Sequence, residues 1–177
     1  MTQNKTNPEE IRLVIFDIDG VLTDGMLYYS EVGECMKPFN VKDGVGFDLL
    51  RSSGIEIAVI TAKDSAALAC RMKDLKVRYY FPACRDKKTA FDSLKEQLAI
   101  TSAQVAYVGD DVLDLPVMKE VGLAIAPADA HFLALKYAHI TTRAASGQGV
   151  AREVAELLVG ARTNLEEAYG RLVAVVQ

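Results

Sequence analysis

Apolar positions fall into short continuous runs, separated by stretches in which they recur three or four residues apart. Ile11–Phe16 (IRLVIF) is mostly β-branched and aromatic, the pattern of a strand buried on both faces. Ile55–Ile60, Val77–Phe81, Val105–Val108 and Leu123–Ala126 repeat it. Between these runs the spacing turns helical. Asp43 is placed to cap a helix through Leu50 and Arg51 that stops at Gly54, and Asp64 one that reaches about Leu75. Asp86 to Leu98 carries Ala90, Phe91, Leu94 and Leu98 on one face, and helices are predicted near Val112–Glu120 and Val150–Leu158. Leu27–Tyr29 and Cys35–Phe39 flank a glycine-containing turn, Ser30–Glu34, and predict a β-hairpin. Strand–helix alternation predicts a doubly wound, Rossmann-like α/β fold: a parallel sheet with helices on both faces. No repeat, low-complexity tract or linker breaks the 177 residues, so one domain is expected.

Composition narrows the function classes. Half the residues are apolar, which excludes a disordered chain. Lys and Arg number 20 against 24 Asp and Glu, a net charge of −4, which argues against general nucleic-acid binding. No apolar stretch approaches the ~20 residues of a membrane helix, and Met1–Arg12 is too polar for a signal peptide. Cys35, Cys70 and Cys84 form neither a disulfide framework nor a metal knuckle and fit a reducing cytoplasm.

In a parallel sheet, ligands bind beyond the carboxyl ends of the strands. The first predicted strand is followed by Asp17-Ile18-Asp19-Gly20, the second by Thr61-Ala62-Lys63-Asp64, and the fourth by Gly109-Asp110-Asp111 with Asp114 a turn later. Lys87 and Lys88 open the preceding helix, and spacing alone does not choose between them. Carboxylates gathered at one edge repel unless a cation sits among them, and oxygen-only ligands suit a hard ion, Mg²⁺ above all. A metal, a lysine and a hydroxyl around one point bind a phosphoryl group. One aspartate there can attack phosphorus, and a second can move the proton. His131 and His139 lack metal-ligand spacing, and an EF-hand fails because Leu22 stands where that loop needs glycine.

Val14-Ile15-Phe16-Asp17-Ile18-Asp19-Gly20-Val21-Leu22-Thr23 resembles the first motif of the haloacid dehalogenase-like phosphatases. Thr61, Lys87 and Gly109-Asp110-Asp111…Asp114 match the second, third and fourth motifs in order. The resemblance implies that Asp17 is the nucleophile and Asp19 the acid/base, while Thr61 and Lys87 hold the phosphoryl group. It implies Mg²⁺ on the Asp17 carboxylate, the Asp19 backbone carbonyl and Asp110, supported by Asp111 or Asp114.

The hairpin and first helix fill the interval from Asp17 to Thr61, and one helix and one strand fill that from Thr61 to Lys87, leaving no room for a cap domain. Asp24-Gly25, Gly33-Glu34 and Phe39-Asn40-Val41-Lys42-Asp43-Gly44 resemble one capless branch, the 3-deoxy-D-manno-octulosonate 8-phosphate phosphatases of lipopolysaccharide precursor synthesis. That branch implies a small anionic sugar-phosphate substrate met by Lys63, Arg71, Lys42, Asp43 and Gly44. It also implies a homotetramer whose hairpins (about 26–40) pack together and whose C-terminal tails (about 163–177) reach a neighbour's site. The tail here ends in Leu172-Val173-Ala174-Val175-Val176. Two positions depart from the branch: Ala62-Lys63 replaces Gly-Arg, and Ser146-Gly147-Gln148-Gly149 replaces Gly-Gly-basic-Gly. A related branch acting on nine-carbon keto-deoxy sugar phosphates is the alternative. A receiver-type phospho-Asp signalling module is remoter, because the third predicted strand ends Phe81-Pro82-Ala83, without an acid.

Overall fold

A computed structural model describes residues 7–176, with side chains through residue 174. Strand β1 (Leu13–Phe16) is buried along its whole length because it is paired on both edges, with β4 (Glu56–Ile60) and with β6 (Val105–Val108), both parallel. Outside β4 lies β5 (Tyr79–Phe81), and outside β6 lie β7 (Leu123–Ala126) and β8 (Ile140–Thr141), giving the order β5-β4-β1-β6-β7-β8. This is the 3-2-1-4-5-6 order of a Rossmann-like sheet, whereas a receiver module is wound 2-1-3-4-5. The predicted fold class is therefore observed, with β8 added.

Period-two alternation divides the sheet residues between two cores. Val14, Phe16, Val59, Val108 and Ile125 face α1 (Val41–Ser52), α2 (Ala66–Asp74) and α6 (Val150–Gly160). Leu13, Ile15, Ala58, Tyr107 and Ala124 face α3 (Lys87–Leu98), α4 (Leu115–Met118) and α5 (Phe132–Tyr137). The helix predicted near Val112–Glu120 is a 3₁₀ turn, Val112–Asp114, running into α4.

Two helix starts differ from expectation. Asn40, not Asp43, caps α1, its side chain accepting from the Lys42 amide at 3.0 Å. Ser65, not Asp64, caps α2, accepting from Leu68 N–H at 3.2 Å. Asp43 instead lies buried inside α1 and accepts from the Arg152 amide at 3.2 Å, where α6 begins behind Gly149, which offers no side-chain cap. Helices α1 and α6 approach closely at Gly46, where an added Cβ would stand 2.8 Å from Arg152 Cα.

Between β1 and α1 stands a two-stranded hairpin, β2 (Tyr28–Ser30) and β3 (Gly33–Met36), instead of a cap domain. It leaves Met26, Tyr29, Val32 and Met36 exposed. The tail forms α7 (Leu165–Val176), which the sequence pattern did not announce as a helix. Leu165, Ala168 and Tyr169 pack against the chain's own core, and Tyr169 Oη donates to Glu156 Oε1 at 2.8 Å. Along these residues the tail lies on its own subunit; the Val175 and Val176 side chains lie outside the described residues. Among the described residues no helix is long and apolar enough to cross a membrane.

Substituting Gly46→Ala is expected to destabilise the protein by about 1–2 kcal/mol, since crowding against backbone outweighs alanine's better helix propensity. The denaturant midpoint is the measurement, and a midpoint at or above wild type would show that α1 and α6 have room to part.

Candidate active site

Strand order reverses between β1 and β6, and both carry acids just past their carboxyl ends. Asp17 N–H donates to Val108 O at 3.0 Å, so the pairing runs one residue beyond β1. The chain then turns on the Ile18 carbonyl, which accepts from the amides of Val21, Leu22 and Thr23. Gly20, at φ +88°, makes this turn, and a Cβ there would lie 2.1 Å from Asp110 Oδ2. Glycine is thus required by both conformation and space. At Gly109 space alone argues for glycine, because a Cβ would stand 2.5 Å from Asp114 Cγ.

Lys87, at the first turn of α3, is almost fully buried. Its Nζ lies 3.0 Å from Asp17 Oδ2 and 2.6 Å from Asp114 Oδ1. Lys88 points elsewhere, to Asp92 and Glu120, so of the two lysines Lys87 is the one among the acids. Asp114 has both oxygens engaged. Oδ1 accepts from Lys87 and from Tyr107 Oη at 2.5 Å, and Oδ2 accepts from the amides of Asp110 and Asp111 at 3.0 and 3.2 Å. Asp111 is exposed and caps the following turn through Val112 N–H at 2.7 Å.

Carboxylate oxygens of Asp17, Asp110 and Asp114 lie within 4.8 Å of one another. Burial, then the charge of Asp114, raises Asp17 to about 7 against the pull of Lys87. Burial, then Asp114, Asp17 and Asp111, raises Asp110 to about 8. Burial works to lower the Lys87 pKa, yet Asp17 and Asp114 hold it above the ordinary lysine value. Asp110 Oδ1 is buried with no hydrogen-bond partner among the described residues. An all-oxygen donor set, an excess of negative charge and an unsatisfied carboxylate oxygen fit a hard divalent cation. Asp17 and Asp110 have oxygens to give it; Asp114 does not.

Asp19 turns its side chain from this cluster toward Lys37, with the Thr23 hydroxyl 3.4 Å from Oδ1. Thr61 is buried at the end of β4, and its Oγ1 accepts from Lys63 N–H at 3.3 Å. Thr61 and Lys63 carbonyls accept from Cys84 and Ala83, joining this loop to the one that leads to Lys87. Lys63 and Lys42 are exposed. Arg71 stacks 5.7 Å over Phe39, donates to the Asn40 carbonyl at 3.2 Å and lies beside Gly44. Asp43 is the expected binding residue that the fold uses otherwise: it is withdrawn under the α6 N-terminus, and burial raises it to about 6.

Sequence reasoning missed Tyr107, Lys37 and Ser146. Tyr107 reads as one more apolar strand residue, and its hydroxyl role depends on a partner seven positions away. Ser146 Oγ donates to Gly20 O at 2.5 Å, while Asp129 Oδ1 accepts from the Ser146 amide and is 2.8 Å from its hydroxyl. With Gly147 N–H on Val21 O at 3.0 Å, this loop is moored to the turn that carries Asp17 and Asp19. The only local sign was a departure from the expected glycine.

Residues 81–154 match the family model of haloacid dehalogenase-like hydrolases. The chain is 45% identical, over 163 residues, to the 3-deoxy-D-manno-octulosonate 8-phosphate phosphatase of Escherichia coli K12, covering 92% of this chain and 87% of that one. It superposes on the crystal structure of 3-deoxy-D-manno-octulosonate 8-phosphate phosphatase from Yersinia pestis with a TM-score of 0.88 and 41% identity, covering 93% of this chain and 89% of that one. The Moraxella catarrhalis phosphatase of the same name, solved in complex with a magnesium ion, a phosphate ion and a KDO molecule, gives a TM-score of 0.87 and 33% identity, covering 97% of this chain and 96% of that one.

The shifted carboxylates predict an unusual stability profile. Asp17 and Asp110 release protons near 3.8 when unfolded but near 7 and 8 when folded, so the folded state holds more protons in between. In buffer stripped of divalent ions, the melting temperature should fall as pH rises from about 5 to 8. Millimolar Mg²⁺ should flatten that fall, because the bound charge replaces the protons. Thermal unfolding at graded pH, with EDTA or Mg²⁺, makes the comparison; a metal-free melting temperature that climbs with pH would contradict it.

Proposed function

The chain belongs to the 3-deoxy-D-manno-octulosonate 8-phosphate phosphatases, a capless branch of the haloacid dehalogenase-like hydrolases, and from that premise we propose that it hydrolyses this sugar phosphate to the free sugar acid and inorganic phosphate, with Mg²⁺ as cofactor. The observation that carries the reading is the Lys87 ammonium held between Asp17 and Asp114, beside the unsatisfied oxygen of Asp110.

Asp17 attacks phosphorus in line with the sugar oxygen, and the bond from phosphorus to that oxygen breaks, leaving an acyl phosphate on Asp17. Asp19 gives the departing oxygen its proton. Asp19 then takes a proton from water as that water attacks phosphorus, the bond to Asp17 breaks, and phosphate leaves. Thr61 and Lys87 bind phosphoryl oxygens, and Lys87 keeps Asp17 oriented between steps. Mg²⁺ on Asp17, Asp110 and the Asp19 carbonyl would neutralise charge on the phosphoryl oxygens. Asp114 positions Lys87 and the Asp110 and Asp111 backbone.

Lys63, Lys42, Arg71 and Gly44 form the sugar side, with Lys63 supplying a point charge toward the sugar carboxylate where a guanidinium would supply a fork. Asp43 supports this side through α6 rather than by contact. The reading includes a homotetramer, supported by the exposed Met26, Tyr29, Val32 and Met36 of the hairpin. It includes a cytoplasmic setting and a place in lipopolysaccharide precursor synthesis, and the three free cysteines agree with a reducing compartment.

Asp17→Asn is expected to lower turnover by several orders of magnitude while leaving the fold intact, since an amide does not attack phosphorus. EDTA should abolish wild-type phosphate release and Mg²⁺ restore it. Assayed side by side, eight-carbon keto-deoxy sugar phosphate should be favoured over nine-carbon in kcat/KM; the reverse order would reassign the substrate. Light scattering should return four times the chain mass, and a fully active monomer would remove the tetramer from the reading.

A further inference from the structure

Lys37 follows β3 at the base of the hairpin, and its side chain is 1% exposed. Its ammonium pairs with Oδ1 of Asp19, on the turn after β1, and lies 2.9 Å from Oε1 of Glu34, on β3. The Thr23 hydroxyl adds a second, longer contact to Asp19 Oδ1. Asp19 Oδ2 is buried and has no hydrogen-bond partner among the described residues. A lysine this deep needs anions around it. Glu34, three residues away, is a local partner that the hairpin supplies by itself. The reach to Asp19 does something further: it crosses from the hairpin to the reacting turn.

We propose that Lys37 is a positioning residue for proton transfer. It holds one oxygen of Asp19, leaves Oδ2 as the oxygen that meets the leaving group, and ties that orientation to the seating of the hairpin. A carboxylate without this tether samples several side-chain rotamers, of which few reach the scissile oxygen. This inference rests on the reading of Asp19 as acid/base, and its test separates the two.

The experiment uses the full chain with Mg²⁺ and a series of aryl phosphates graded in leaving-group basicity, from p-nitrophenyl to phenyl phosphate. The value of kcat/KM reports steps up to the first irreversible one, the transfer to Asp17. Nitrophenolate departs without a proton, whereas a more basic oxygen needs one. Lys37→Met should therefore keep kcat/KM on p-nitrophenyl phosphate within about 3-fold of wild type and lose about 10-fold or more on phenyl phosphate. Lys37→Arg should recover part of the loss. Glu34→Gln, which leaves the Lys37–Asp19 pair in place, should shift the ratio less.

Equal losses on both substrates, or no loss on either, would overturn the positioning role, because a merely structural lysine does not sense the leaving group. If circular dichroism shows Lys37→Met unfolded, Lys37→Gln decides by the same ratio. Asp19→Asn is measured in parallel. If that variant has wild-type leaving-group dependence, the acid/base reading itself falls and the inference with it. If Asp19→Asn steepens the dependence and the Lys37 variants do not, only the inference falls.

Discussion

Lys87 brings a single positive charge into a space shared by three carboxylates, and most of the local architecture answers that imbalance. Removing one partner from a buried ion pair typically costs about 3–5 kcal/mol, because the other charge is stranded. The fold spreads the load over several donors. Asp114 is braced by a lysine, a phenol and two amides, so it holds Lys87 in place without being drawn toward a ligand. Asp17 and Asp110 are less well satisfied, and their protons bind more tightly as a result. That residual deficit is what makes the site receptive to a dication and to the phosphoryl group that follows it. A protein that neutralised all three acids with its own side chains would fold more comfortably and bind neither.

The sheet order makes this economy of charge geometrically available. Asp17 and Asp110 follow adjacent parallel strands that lead to helical layers on opposite faces, so their loops diverge and leave a crevice. The carboxylate of Asp110 packs on Gly20, and that of Asp114 on Gly109, so closely that neither position has room for a Cβ. A site built this way is rigid on its floor and open above. The hairpin and the 146–149 loop are the elements that border it, and each is tied to the Asp17–Gly20 turn by one buried polar side chain: Lys37 from the hairpin and Ser146 from the loop. The turn that carries Asp17 is thus also where both bordering elements are anchored.

What could be read from the chain follows from which interactions are local. Strands buried on both faces announce themselves as β-branched runs, and the acids after them are found by position alone. Asp86 caps α3 as its place before Lys87 suggests, because capping is a contact between near neighbours. Asp43 was misread for the opposite reason. It carries a capping residue's chemistry but serves a helix more than a hundred residues later, and nothing around it in sequence says so. Lys87 and Lys88 could not be told apart by composition, yet about 100° of helical rotation sends one to Asp17 and Asp114 and the other to Asp92. The tail was expected to seek a neighbour from its apolar content, and α7 spends part of that surface on its own α1 and α6. Apolar content shows that a surface will be covered, not by which chain.

The two departures from the family pattern sit where the backbone tolerates them. In the 146–149 turn, Gly147 has φ +70° and a Cβ there would be 2.6 Å from Asp24 N, while Gly149 has φ +95°. Both glycines demanded by geometry are present. The changes fall at Ser146, whose hydroxyl adds a bond to Gly20 O, and at Gln148, which is exposed. Lys63 is exposed as well, and it contributes its backbone, not its charge, to the loop that holds Thr61. Of these differences, Lys63 and Gln148 lie on the exposed surface, whereas buried Ser146 adds a bond to the turn that carries Asp17 and Asp19. Exchanging a guanidinium fork for an ammonium alters how strictly a carboxylate is oriented more than whether it is attracted. Divergence in this chain thus falls outside the acids around Lys87 and the glycines that seat them, and it touches their turn only through the Ser146 hydroxyl.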